Sequence, residues 1–329
     1  MTKKIKLSVL VPIFNTEKYL PECLDSLTAQ SLSDIEILCI NDGSTDDSLK
    51  IAQRYAKKDA RIRIINKKNT GYGDSMNRGL AEAKGEYIAI VESDDFLAPE
   101  ACEQLYAIAN KASADVVRAN YYYHSETGNL IHAAIRDQFL YHPQTILDDT
   151  AILYEEPAIW SGIYRRQFLQ DRKIGFLTTP GASYQDTSFN FKALCAAEKI
   201  VYTDKAFLYY RVDNESSSVK SLEKADYVIQ EYAEIERFLT ETAAPQELRY
   251  IAQATKFGAF NWNLIRLPHS LAVVFLTRMK QNFRAAAQEG LLRKQYWPRK
   301  YWLGLQMILH APTGFYYSAL ALRDKLKRQ

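Results

Sequence analysis

The sequence predicts an α/β fold, a sheet flanked by helices followed by a helical extension. Three observations predict it. Apolar runs bounded by Gly, Pro or Asn begin near residues 7, 35, 61 and 87. Between them lie stretches with apolar residues at helical spacing, such as Leu20, Leu24 and Leu27. Beyond about Leu222 the pattern is helical throughout. Strands alternating with helices at this spacing form parallel βαβ units.

Taken in order, Leu7 to Pro12 reads as the first strand, and Pro12-Ile13-Phe14-Asn15-Thr16 turns the chain at its C-terminal end. A helix is expected from about Glu17 to Gln30. Ile35 to Ile40 is the second strand, ending at Asn41-Asp42-Gly43-Ser44, where Ser44 and Asp47 form a capping-box-like pair for a helix to about Lys58. Arg61 to Ile65 is a third strand. A Gly- and Asn-rich loop, Asn66 to Gly73, leads to a helix over about Asp74 to Ala83. Tyr87 to Val91 is a buried strand, and a helix follows from about Pro99 to Ala112. Asp115 to Tyr123 reads as another strand, and His124 to Pro143 as an irregular excursion. Short elements then include a helix near Arg165 to Gln170, a helix over Thr187 to Ala197, and strands at Ile200 to Tyr202 and Phe207 to Tyr210. The domain change is placed at residue 218, dividing the chain into 1–218 and 219–329.

Chemistry concentrates where the Tyr87–Val91 run ends in Glu92-Ser93-Asp94-Asp95, three carboxylates within four residues. Such groups repel one another unless a cation sits between them. Mg²⁺ and similar hard cations are held by one or two carboxylates together with substrate phosphates. Ligands bind at the C-terminal edge of open α/β sheets, so the stretch predicts a metal–diphosphate site. The plain alternative is a solvated acidic turn ahead of the next helix.

Two nucleotide motifs are excluded. Gly71-Tyr72-Gly73 begins like a dinucleotide fingerprint, but Met76 stands where the third glycine belongs, and the loop follows the third strand rather than the first. A GxxxxGK[ST] phosphate loop is absent.

The 329 residues are 47% hydrophobic and 25% charged, a globular balance. The net charge of +3 hides an asymmetry: residues 266–329 carry twelve basic and two acidic side chains, while the rest carries 30 and 37. Cys23, Cys39, Cys102 and Cys195 show no CxxC spacing and read as buried free thiols. Met1-Thr2-Lys3-Lys4 runs straight into a strand without a cleavage site, so a cytoplasmic location is expected. Tyr301 to Leu322 lacks formal charge but is interrupted by Gln306, His310, Pro312 and Gly314, and no membrane span is expected there.

Several ordered motifs resemble family 2 glycosyltransferases of the GT-A fold. They are Val9 to Asn15, Leu20-x-x-Cys23-Leu24-x-Ser26-Leu27, Asn41 to Asp46, Gly85-Glu86-Tyr87-Ile88 and Glu92 to Asp95. The resemblance covers about residues 5 to 218 and implies a mixed Rossmann-like sheet. It implies an inverting enzyme that moves a sugar from a nucleoside diphosphate, here expected to be a UDP-sugar, to an acceptor hydroxyl, with Mn²⁺ or Mg²⁺ as cofactor. Pro12, Phe14 and Asn15 would line the base and ribose pocket, and Asp42 would accept from the base. Asn69, Gly71, Asn77 and Arg78 would lie along the donor loop. Glu92, Ser93 and Asp94 would take the place of the Asp-x-Asp motif, Asp94 on the metal and Glu92 on the ribose or a metal-bound water. Arg211 and the Ser216–Ser218 loop would close over the diphosphate, and Asp186 would be the catalytic base.

Three departures stand out. Glu92 replaces an aspartate, Gln185 stands where an acid often precedes the base, and Met76 stands where arginine is common. They motivate an alternative, a catalytically degenerate sugar-nucleotide-binding partner or oligomeric scaffold. The implied acceptor is a glycan, lipid-linked or protein-linked, in bacterial surface glycan or glycoprotein glycan synthesis. The tail segment Arg293 to Trp302 suits an anionic membrane surface, peripheral and on the inner face, a homo-oligomer interface, or a solvated helical cap. No nucleic-acid partner is expected, since no recognised motif accompanies the charge.

Overall fold

The computed structural model describes residues 4–214 and 226–312, together with Phe315 and Ser318. The chain forms two compact units, Met1–Ser217 and Ser218–Gln329. The Ser216–Ser218 loop and the last residues of the tail lie outside the described residues.

The first unit holds one mixed sheet. Four parallel strands form one half: β1 (Leu7–Ile13), β2 (Ile35–Asp42), β3 (Ile62–Lys67) and β4 (Tyr87–Ile90), with β1 between β2 and β4 and β3 outermost. Every residue of β1 and β2 is buried, as expected of strands covered on both faces. The connecting helices are α1 (Leu20–Thr28), α2 (Ser48–Ala56) and α3 (Tyr72–Glu82). Leu20, Leu24 and Leu27 of α1 are fully buried, and Pro21 stands in its first turn, where a missing N–H costs nothing.

The other half is built around β5 (Phe96–Leu97), β6 (Val116–Ser125), β7 (Gly128–His132), β8 (Gly162–Arg165) and β9 (Ile200–Arg211), with helices α4 (Ala101–Ala112), α5 (Arg166–Asp171) and α6 (Gln185–Ala196). Strand β8 joins the halves, antiparallel to both β4 and β6; β6 and β9 run parallel, and β5 closes the edge against β9.

Several sequence-based elements are corrected here. The excursion over 124–143 contains β7, which pairs back on β6 through a turn at Gly128. The two short strands near 200–210 are one long strand, β9, whose register against β6 shifts around Asn120. The short β5 had no apolar run to reveal it. Helix α2 begins at Ser48 and has no side-chain cap; the Ser44 hydroxyl instead accepts from the Asn15 N–H. Helix α6 begins at Gln185 rather than Thr187, so Asp186 lies in its first turn, with Tyr184 at the cap.

The second unit contains α7 (Tyr227–Glu241), α8 (Gln246–Leu264), α9 (His269–Gln288) and α10 (Arg299–His310). The last three each open directly after a proline: Pro245, Pro268 and Pro298. Phe257 and Phe260 of α8 are fully buried, and Phe257 meets Phe283, Trp297 and Tyr301. The tail aromatics thus build this core: Trp297 is buried, while Arg293, Lys294, Arg299 and Lys300 stay exposed. Among the described residues no helix is long and apolar enough to cross a membrane. The four cysteines are unpaired, and burial pushes the thiols of Cys39 and Cys102 to about 12.

Candidate active site

The C-terminal ends of β1, β2 and β4 deliver the first group of predicted residues to one edge of the sheet. Pro12 is buried within β1, and Phe14 just beyond it is 48% exposed, leaving ring surface for a ligand. Asn15 adopts a left-handed φ of 53°, which asparagine tolerates well. Its Oδ1 accepts from the Thr45 N–H at 2.8 Å, tying the β1 turn to the β2 turn.

Asp42 ends β2 opposite Lys67 in the register with β3. Its carboxylate is nearly buried and accepts from Lys67 Nζ, from the Thr70 N–H at 2.9 Å and from the Gly71 N–H at 3.0 Å. Lys67 also pairs with Asp74, which accepts from Thr70 Oγ1. Asp42 therefore organises the loop ahead of α3, and these three hydrogen bonds leave one of a carboxylate's roughly four lone-pair directions unused.

The loop from Asn69, which is exposed, into α3 packs against the segment Leu177–Gly181. Gly71 has a φ of 99°, and a Cβ on it would stand 2.8 Å from the Gly181 nitrogen. A Cβ on Gly73 would stand 1.8 Å from the Leu177 carbonyl oxygen. Only glycine permits this approach. The other loop candidates are used differently. Asn77 spends its amide on both backbone groups of Phe176, donating to the carbonyl and accepting from the N–H, each at 2.9 Å. Arg78 lies exposed and pairs with Glu82 one turn along α3. Met76 is fully buried.

The acidic stretch forms a tight turn closed by the Asp95 N–H on the Glu92 carbonyl at 3.0 Å. Glu92 is half-buried, and desolvation pushes its carboxyl up to about 8 despite a 2.7 Å hydrogen bond donated by Tyr72. Asp94 accepts from Asn214 Nδ2 at 2.7 Å. Ser93 and Asp95 are buried. Asp95 accepts from the Arg211 N–H at 2.8 Å and leaves its second oxygen unpaired; burial raises its carboxyl well above the usual range. The Arg211 side chain donates to the Asp94 carbonyl and pairs with Glu22, its guanidinium 4.8 Å from the Tyr19 ring centre.

Asp186 comes from the other half of the unit. Tyr184 ahead of it has a φ of 65°, an outlier for a bulky residue that costs on the order of 1–3 kcal/mol. Buried Gln185 compensates by holding the preceding loop: its amide donates to Thr179 Oγ1 at 2.7 Å and accepts from the Ser183 N–H. The half-buried Asp186 carboxyl is pushed up to about 6, first by desolvation, with Glu156 adding to the shift. Asp186 and Glu92 lie within electrostatic reach of each other. The structure thus gathers Asp186, Glu92, Asp94 and Arg211 on one side of the sheet, while Asn77 and Arg78 serve the loop and the surface. Sequence reasoning missed Lys67, Tyr72 and Asn214, and noted Gln185 only as a departure from the motif. Gln185 and Tyr72 lay beside motif positions, but nothing in the sequence announced their partners.

A cation is implied by the acidic turn. Among the described residues no three His, Cys, Asp or Glu side chains converge as a metal set. The donors present fit a cation held by Asp94 and completed by phosphates, the usual arrangement for Mg²⁺.

Known proteins resemble the chain on this same frame. The uncharacterized glycosyltransferase EpsJ of Bacillus subtilis is 31% identical over 220 residues, which are 64% of this chain and 62% of EpsJ, so the chain spans under two thirds of that relative. S. aureus TarS residues 1–349, crystallised with UDP-GlcNAc, superposes with a TM-score of 0.74 at 21% identity, covering 97% of this chain and 92% of that one. The mannosyltransferase PcManGT of Pyrobaculum calidifontis, in complex with GDP-Man and Mn²⁺, does so with a TM-score of 0.52 at 15% identity, covering 98% and 88%. The likeness to TarS shows the shared GT-A fold. Residues 8–189, more than half of the chain and the part that carries the acidic turn and Asp186, match the model of glycosyl transferase family 2, and the chain belongs to that family.

Proposed function

We propose that the chain is an inverting glycosyltransferase that moves a sugar from a nucleoside diphosphate donor, of the UDP-sugar class, to an acceptor hydroxyl. The observation that carries this reading is the half-buried Asp186, pushed up to about 6 and within reach of Glu92. A carboxylate with that affinity for protons is ionised at neutral pH yet basic enough to accept one from a hydroxyl as its oxygen attacks. A pure binding module has no use for a carboxyl desolvated at that place.

The remaining residues supply binding. The exposed Phe14 ring offers a face to the base, and the remaining lone pair of Asp42 accepts from an imide N–H such as that of uracil. UDP-GlcNAc on TarS supports this choice of donor. Asp94 would hold the divalent cation with the donor phosphates, and Mn²⁺ on PcManGT supports the cation. When bound, the cation offsets charge on the departing diphosphate. Residues 1–217 carry the chemistry in this account. The exposed basic side chains of the C-terminal unit suit an anionic membrane surface or a second copy of the chain.

Calorimetric titration with UDP, GDP, CDP and ADP, with and without Mn²⁺, tests the reading. It predicts UDP binding that strengthens at least about tenfold with the metal. Absence of binding by every nucleotide under both conditions contradicts it.

A further inference from the structure

Strands β6 and β9 carry an aromatic cluster that the donor side of the site does not use. The parallel register sets Tyr123 beside Tyr210. Trp160, from the turn before β8, stacks on Tyr210 with ring centres 4.9 Å apart and planes 8° from parallel. Tyr121 meets Trp160 edge-on at 4.5 Å, and Tyr123 meets Tyr210 edge-on at 6.2 Å. Trp160, Tyr123 and Tyr210 are each only partly buried. Glu156 is exposed and accepts from both phenols, Tyr121 at 2.8 Å and Tyr123 at 3.1 Å. Among the described residues no cation pairs with it.

This plate adjoins the reacting groups. Tyr210 precedes Arg211, whose N–H holds Asp95 and whose side chain holds the Asp94 carbonyl. The charge of Glu156 is felt at both Asp186 and Tyr210. The acceptor hydroxyl must come within hydrogen-bond reach of Asp186, so the acceptor lies beside the plate.

We propose that Trp160, Tyr210 and Glu156 form the acceptor subsite, and that it takes an uncharged sugar ring rather than a polyol phosphate or a uronic acid. The inference rests on the transferase reading above. A partly exposed aromatic plate covers the apolar C–H face of a sugar ring, and few, well-placed polar groups fix its orientation. A carboxylate such as that of Glu156 is acceptor-only and takes hydrogen bonds from vicinal hydroxyls. The same charge, with Asp186 close by, repels a phosphate or carboxylate.

Saturation-transfer NMR and fluorescence titration of the whole chain, with UDP and Mn²⁺ present and absent, test the assignment. The probes are methyl β-glucoside, methyl β-galactoside and methyl N-acetyl-β-glucosaminide against ribitol 5-phosphate and methyl β-glucuronide. At least one neutral glycoside is expected to bind, with its affinity falling about tenfold in Trp160→Ala and less in Trp160→Phe, while UDP affinity stays within about twofold of wild type. Glu156→Gln is expected to weaken the neutral probe and to narrow the gap to the anionic ones. Retained UDP affinity shows that each variant is folded. Neutral binding unchanged in Trp160→Ala, or anionic probes bound as tightly as neutral ones by the wild type, overturns the assignment. Failure of the wild type to bind any nucleotide is a separate outcome that counts against the transferase reading; the glycoside titrations made without nucleotide still decide the subsite.

Discussion

Asp186 owes its chemistry to where its side chain is buried. Removal of water from the carboxyl raises its proton affinity, and the hydrogen bonds it accepts from Thr187 oppose the shift without cancelling it. The sign of the pH dependence follows. The proposed base must be ionised to act, and burial pushes the Asp186 carboxyl up to about 6, so kcat/KM should fall about tenfold per pH unit below that value and level off above it. An ordinary aspartate would hold the rate flat to about pH 4. A profile of kcat/KM from pH 4.5 to 8 decides, and a flat acid limb contradicts the assignment. That Asp186 lies at the start of a helix was legible in the sequence. Its proton affinity was not, because burial of the carboxyl and the nearby charge of Glu156 are set by tertiary packing rather than by local sequence. The resemblance implied a base contact for Asp42; the structure shows its carboxylate accepting from Lys67, Thr70 and Gly71, partners that the β2–β3 register brings to it.

At the scale of elements, the parallel half was legible and the second half less so. Strands β1, β2 and β4 are continuous apolar runs, which buried parallel strands must be. Strand β9 was broken in two because Asp204 and Lys205 interrupt its apolar residues where it is exposed. The two-residue β5 draws its existence from pairing with β9, a tertiary effect. The loop ahead of α3 and the loop ahead of Asp186 form one packed unit: Gly71 and Gly73 lie against Leu177–Gly181, and the Tyr72 N–H donates to the Gly181 carbonyl at 2.9 Å. A methyl group at position 73 must displace backbone, so Gly73→Ala should lower stability by about 1–3 kcal/mol. It should also weaken donor binding, since Tyr72 would shift from Glu92. Urea denaturation together with UDP titration checks this. A variant with wild-type stability and affinity would show that the two loops move independently.

For the whole molecule, charge divides the chain more sharply than composition does. The body is mildly acidic and gathers Glu92, Asp94, Asp95, Asp186 and Glu156 around one site; the tail is basic. The resemblance to the family was legible because its motifs encode backbone turns and ligand contacts together. The sequence left the tail open between a membrane surface, a homo-oligomer interface and a solvated helical cap; in the structure Trp297 and Tyr301 pack against Phe257 inside the helical unit. Amphipathic aromatics look alike in sequence whether they cover a core or face a lipid.

The most direct test of the account is sugar transfer by Asp186→Asn, followed as UDP release from a panel of UDP-sugars with a neutral glycoside acceptor and Mn²⁺. The substitution keeps the shape and removes a charge that burial disfavours, so the variant should fold at least as stably as wild type at neutral pH. The account predicts transfer reduced by about 10²–10⁴-fold with UDP affinity retained. Transfer at the wild-type rate would contradict it.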